Sequence, residues 1–146
     1  MIRKAENQDT AGILSLIKEL AAYEREPDAV VNTEQELAYS LFEEEHCHAL
    51  VWEDNHHGIV AFALYYFGYS TWKGKTLYLE DLYVKPEFRR QNIGGQLFKE
   101  VVRIAKQTGV RRMDWQVLNW NEPAIKFYKK QNALLDPQWI NCRLYF

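Results

Sequence analysis

Two adjacent carboxylates, Glu80 and Asp81, interrupt an otherwise apolar run at residues 76–84. A carboxylate among apolar neighbours is suited to accepting a proton. Successive side chains of a strand point to opposite faces, so one of the pair is expected to serve a site while the other does something else. Just downstream runs Lys85-Pro86-Glu87-Phe88-Arg89-Arg90-Gln91-Asn92-Ile93-Gly94-Gly95. A loop that feeds a helix N-terminus presents unpaired N–H groups and the positive end of the helix dipole, so a phosphate fits there. Glycines let the backbone approach an anion closely, and Arg89 and Arg90 add charge-assisted bonds. Taken alone, the loop reads equally as an anion site or as a solvated basic turn.

Other reactive residues point to less. His46, His48, His56 and His57 have no carboxylate or Cys at ligand spacing, so no metal is expected. His56-His57-Gly58 reads as a hairpin turn. Cys47 and Cys142 are the only cysteines and make no disulfide framework. Tyr128 lies on the side of a helix that carries Ala124 and Ile125, and by residue type alone it reads as a core aromatic.

The elements that must position these residues follow from pattern. Residues 1–5 predict a short strand. Asp9 is expected to cap a helix in which Ile13, Leu16, Ile17 and Leu20 recur at helical spacing, ending near Tyr23. Thr33-Glu34-Gln35-Glu36 matches a capping box, which predicts a helix to about Glu44. Residues 49–53, 59–69 and 76–84 read as strands of an antiparallel meander, with turns at 54–58 and 73–75. Pro86 stops the third strand. A helix over 93–108 is predicted, with Gly109 as its C-cap. Residues 113–118 read as a strand parallel to 76–84, since a crossover helix separates them. Asn121 caps another helix, with Pro123 in its first turn and its end by Asn132. Residues 139–146 read as a last strand. The fold class is α/β (α+β), one domain over 1–146, with a mixed, mostly antiparallel twisted sheet flanked by helices.

Composition bounds the partners. The 146 residues carry a formal net charge of −2, with 47% hydrophobic and 26% charged residues. That is globular composition, without the basic excess of a nucleic-acid binder. There is no signal-peptide pattern and no apolar run near the ~20 residues of a membrane span, so a cytoplasmic protein is the expectation.

The loop resembles the acyl-CoA pyrophosphate loop of the GNAT superfamily, Arg/Gln-x-x-Gly-x-Gly/Ala. Arg89-Arg90-Gln91-Asn92-Ile93-Gly94 fits it, with Asn92 where the first glycine is usual. Asn accepts positive φ more readily than most residues, so the loop is expected to keep its shape. Asn132 stands in a similar place after the last helix, where that family commonly has Gly. Leu-Tyr-Leu-Glu-Asp at 77–81, Trp-Asn-Glu-Pro at 120–123 and Phe-Tyr-Lys-Lys at 127–130 resemble the diamine/polyamine acetyltransferases, including thialysine acetyltransferases. So do the stretches at 17–24 and 63–72. Members of that group often continue past their last strand, whereas this chain stops at Phe146.

The resemblance implies transfer of an acetyl group from acetyl-CoA to a small aliphatic primary amine. Such an amine has pKa near about 10.4 and needs deprotonation before it attacks a thioester. Glu80 is implied as the base, through water, and Tyr128 as the acid toward the CoA thiolate. The pyrophosphate would rest on Arg89, Arg90, Gln91, Asn92, Ile93, Gly94 and Gly95. The backbone of Leu82, Tyr83 and Val84 would pair with the pantetheine arm, and Asn121, Glu122, Pro123 and Ala124 would contact it near the thioester. For the amine the resemblance points to Tyr23, Glu24, Glu80, Asp114, Trp115 and Gln116, whose acidic and aromatic groups suit an ammonium. Similar enzymes are usually dimers, so a homodimer is expected. Two other readings are a peptide or protein N-acetyltransferase and a non-catalytic acyl-CoA sensor. The presence of both Glu80 and Tyr128 counts against the sensor.

Overall fold

The computed structural model describes residues 1–146. The chain divides into two compact units, Met1–Gln116 and Val117–Phe146. The first holds a five-stranded mixed sheet in the order β1-β2-β3-β4-β5. Its strands are β1 (Ile2–Lys4), β2 (His48–Asp54), β3 (Gly58–Ser70), β4 (Gly74–Val84) and β5 (Met113–Asp114). The first four pair antiparallel, and β5 pairs parallel to β4, as the crossover predicts.

Helix α1 (Thr10–Tyr23) packs on β3 and β4. Its Ile13 and Leu16 bury against Ala49, Val51, Phe62 and Leu64, which share one face of the sheet. Helix α3 (Ile93–Gln107) packs against β2, β3 and β4. It covers the opposite face: Tyr65, one residue on from Leu64, lies in the field of Glu100 and Arg103 on α3. Full burial of side chains such as Phe62 and Leu97, each 0% exposed, stabilises by about 1.5–3 kcal/mol apiece.

Several local signals act as their chemistry dictates. Thr33 Oγ1 accepts from the Glu36 N–H at 3.2 Å, and Glu36 Oε2 accepts from the Thr33 N–H at 3.0 Å, which closes the predicted box. The helix behind it is α2 (Glu34–Ala38), after which Tyr39–Glu43 widens into a π-turn closed by the Glu44 N–H on the Tyr39 carbonyl. Asp54 Oδ1 gathers the His56 and His57 N–H groups and His57 Nδ1, and Gly58 takes φ +68°, so the hairpin turn is built as read. Gly109 follows α3 with φ +73°.

Three expectations are corrected. Asp9 makes no side-chain cap to α1. A single 3₁₀ turn precedes the helix, and the Asp9 carboxylate instead accepts from the Glu6 N–H at 2.7 Å and from both Arg3 Nη atoms. The strand expected over 113–118 is only Met113–Asp114, because its ladder with β4 ends at Tyr78↔Asp114. Residues 139–146 form no strand. β propensity alone makes no ladder, and Trp139, Ile140, Leu144, Tyr145 and Phe146 are exposed.

The second unit contains α4 (Glu122–Lys130). Asn121 Oδ1 accepts from the Ala124 N–H, Pro123 sits in the first turn, and Asn132 takes φ 61° after the helix. No helix of the chain is long and apolar enough to cross a membrane.

Candidate active site

The site is organised by a break in the β3–β4 ladder. Leu64 pairs with Asp81, but Tyr65 pairs with Leu79, so Glu80 is an extra residue on β4. Such a bulge bends its strand and resets the alternation of side chains. Leu64 faces α1 and shares that face with its partner Asp81, while Tyr66 and its partner Tyr78, stacked at 5.2 Å, place Glu80 on the same side. Glu80 and Asp81 therefore point to one face. The expectation that they diverge is overturned by the inserted residue.

A cluster forms around this bulge. Glu24, the residue that ends α1, is partly buried there. Burial first, and the Glu80 charge second, raise its carboxyl above the ordinary range. Burial, then Glu80, then Glu24 push the Asp81 carboxyl up to about 7. The Cys47 thiol and the Tyr66 phenol are also raised, first by burial and then by Glu80. Glu80 itself is exposed. None of the three carboxylates makes an ion pair. Concentrated negative charge without a cation favours a cationic occupant.

Beside the cluster, β4 presents a free edge. Lys85 N–H bonds the Val60 carbonyl at 3.0 Å, which sets Tyr83 and Asp81 in hydrogen-bonded pairs with Phe62 and Leu64. The main-chain groups of Leu82 and Val84 then turn the other way, toward the side that β5 leaves after Asp114. The Tyr83 main chain stays in the ladder, and its buried ring faces α1.

The edge leads into the loop. Arg90 and Asn92 both adopt the left-handed region, at φ 68° and 58°. Asn92 thus keeps the conformation that a glycine would supply. Its Oδ1 lies so close to Gly95 that a Cβ there would overlap it and the asparagine side chain would have to turn aside. The Gln96 N–H makes the first bond of α3, to the Asn92 carbonyl. The N–H groups of Ile93, Gly94 and Gly95 lie ahead of it, which leaves an anion cradle on a helix of 15 residues.

The remaining residues divide. Asp114, opposite Tyr78, shares the cluster's face but is engaged by Arg112 Nε at 2.9 Å. Trp115 sets its ring edge-on to Phe98 of α3 at 5.4 Å, and Gln116 ends the first unit. Within the second unit Tyr128 is partly buried on α4, with its ring 5.2 Å from Phe127. Asp81 is the member that sequence reasoning set aside. A signal was present, since two consecutive charges in an apolar strand fit a bulge better than regular alternation.

The chain is similar to proteins of known family. The model of the acetyltransferase (GNAT) family matches residues 13–133. A thialysine N-epsilon-acetyltransferase of Bos taurus is 43% identical over 141 residues, 91% of this chain and 83% of that protein. The spermidine/spermine N(1)-acetyltransferase-like protein 1 of Homo sapiens is 39% identical over 91% of this chain, which is 20% of that longer protein. Among solved structures, an integron cassette protein of V. cholerae matches with a TM-score of 0.79 at 26% identity, over 100% of this chain and 92% of the other. An aminoglycoside acetyltransferase from a soil metagenome reaches 0.81 at 18% identity over 100% and 95%, a likeness of fold alone. With the free strand edge, the anion cradle and these relatives together, the chain belongs to the GNAT acetyltransferase family and is an acetyl-CoA-dependent N-acetyltransferase.

Proposed function

We propose that the chain acetylates a primary amine of a small aliphatic cation: a lysine-like side chain, a diamine or a polyamine. The observation that carries this is the unneutralised cluster of Glu24, Glu80 and Asp81 at the bulge. Relatives named for thialysine, spermidine/spermine and ornithine acetylation support the same class. The residues present fit the co-substrate. The α3 N-terminus with Arg90 suits a pyrophosphate, and the outward main chain of Leu82 with the Val84 N–H suits the amides of a pantetheine arm, the Val84 carbonyl being taken by Arg89. Acetyl-CoA supplies the activated acyl group.

In this reading Glu24 and Asp81 hold the ammonium, and Tyr23 lends an aromatic face. Glu80, exposed beside them, takes the proton from the nitrogen through water. Tyr128 donates its phenolic proton to the departing sulfur. Residues 121–124 contact the arm near the thioester, while Asp114 and Gln116 flank the amine; Trp115, set against Phe98 of α3, is turned to the other face of the sheet. The whole chain 1–146 acts as one acetyltransferase domain. It works as a cytoplasmic homodimer, a state favoured by the exposed Trp139, Ile140, Leu144, Tyr145 and Phe146.

The test is thiol release from acetyl-CoA across thialysine, lysine, ornithine, putrescine, spermidine, spermine and a short peptide. Release with the small amines is expected, and release with the peptide alone would overturn the substrate class. Tyr128→Phe should lower kcat about 10²–10³-fold with CoA binding retained; unchanged turnover would remove Tyr128 from the acid role. A monomer mass in light scattering would refute the dimer.

A further inference from the structure

Arg89 opens the cofactor loop, and its side chain turns back onto strand β4 and helix α1. Its Nε–H donates to the Val84 carbonyl at 2.9 Å. That bond sets the guanidinium 5.3 Å from the Tyr23 ring centroid and 5.6 Å from that of Tyr83. The Tyr83 hydroxyl donates to Glu19 Oε2 at 3.3 Å, and Lys85 Nζ pairs with Glu19 Oε1 at 3.7 Å. Loop, strand β4 and the last turn of α1 are thus joined through one guanidinium and two phenol rings. The next residue after Tyr23 is Glu24, which feels the charge of Glu80.

We propose that Arg89 is a positioning residue for the amine side of the site, fixing Tyr23 and Glu24 through its stacked guanidinium. The proposal rests on the acetyl-transfer reading but goes beyond it, because the resemblance assigns Arg89 to the pyrophosphate alone. Physically the device suits arginine only. A guanidinium is planar and weakly hydrated, so it lies against aromatic faces while an N–H still reaches a carbonyl. A lysine would keep the charge that attracts phosphate and lose both the stacking and the Nε–H.

Arg89→Lys therefore separates the two roles. Steady-state kinetics with thialysine at saturating acetyl-CoA should show the amine KM raised about three- to tenfold. CoA affinity by calorimetry should change less than about twofold, since charge is conserved. Tyr23→Leu should raise the amine KM similarly, Tyr23→Phe should restore it, and the double variant Arg89→Lys/Tyr23→Leu should be no worse than either single one. A weakened CoA affinity with unchanged amine KM, or additive effects in the double variant, would overturn the proposal. If the wild-type chain turns over no amine, the acetyl-transfer reading fails instead. Hydrogen exchange then decides the coupling: residues 19–24 should exchange faster in Arg89→Lys than in the wild type, and equal rates would overturn it.

Discussion

Two carboxylate clusters in the first unit differ in charge balance, one holding a cation and the other none. At the sheet edge, Arg3 lies between Asp9 and Glu53. Its guanidinium reaches Asp9 at 2.6 and 3.0 Å and Glu53 at 2.8 Å. Hydrogen bonds from Arg3 hold both carboxyls below their ordinary values. At the bulge, Glu24, Glu80 and Asp81 have no such cation, and Asp81 rises to about 7. The first cluster is complete within the fold and serves it. The second is stable only at some cost, and a cationic ligand would supply what it lacks. Burial alone does not separate a structural carboxylate from a binding one: Asp9 is 5% exposed, and Arg3 still holds its carboxyl below the ordinary range.

The largest expected effect comes from making the first cluster resemble the second. Arg3→Met strands Asp9 without its cation and should cost about 3–5 kcal/mol in urea unfolding. Acetyl transfer at temperatures where the variant remains folded should be unchanged. Next in size, Glu80→Gln should lower kcat about 10²-fold while leaving the unfolding midpoint equal or higher. A large loss of stability there would make Glu80 structural and erase the distinction.

The pH dependence sharpens the contrast. A carboxyl whose folded pKa is raised binds its proton more tightly folded than unfolded. Its destabilising effect begins near the ordinary carboxylate pKa, grows as pH rises, and is complete above about 7 for Asp81. Asp9 and Glu53 act the other way, and their contribution is lost as pH falls below the ordinary carboxylate range. Stability should therefore peak near about pH 5. Asp81→Asn should gain roughly 2 kcal/mol at pH 8, under half of that at pH 5 and almost nothing at about pH 3, allowing for its partial exposure. Equal effects at all these values would break the argument. The smallest effect is a proton count. Amine binding at pH 7 should release about half a proton from Asp81, read from calorimetry in buffers of different ionisation enthalpy. Asp81→Asn should abolish that release.

These outcomes depend on a feature that strand periodicity misplaced. The family resemblance pointed to Glu80 and Glu24, and the apolar run marked Glu80 with Asp81. Regular alternation then sent the two to opposite faces, because periodicity assumes an unbroken ladder. The inserted residue is visible only once β3 is laid beside β4, where Leu64↔Asp81 gives way to Tyr65↔Leu79. The strand after α3 is also shorter than its composition implied, its ladder ending at Tyr78↔Asp114. The main chain of Leu82 and the Val84 N–H face away from the ladder, while Tyr83, grouped with them by resemblance, stays in it.

What the sequence by itself determined is local. The Thr33 box, the Asn121 cap, the left-handed Asn92 and Asn132 and the glycine after α3 depend on residues within a few positions of one another. Their energies act before any distant contact forms. Tertiary structure decided what requires two distant segments at once. It placed the bulge that turns Glu80 and Asp81 to one face, the carboxylate of α1 beside them, and Arg89 across Tyr23 and Tyr83. Register and stacking are properties of pairs of segments, so no window along one segment contains them.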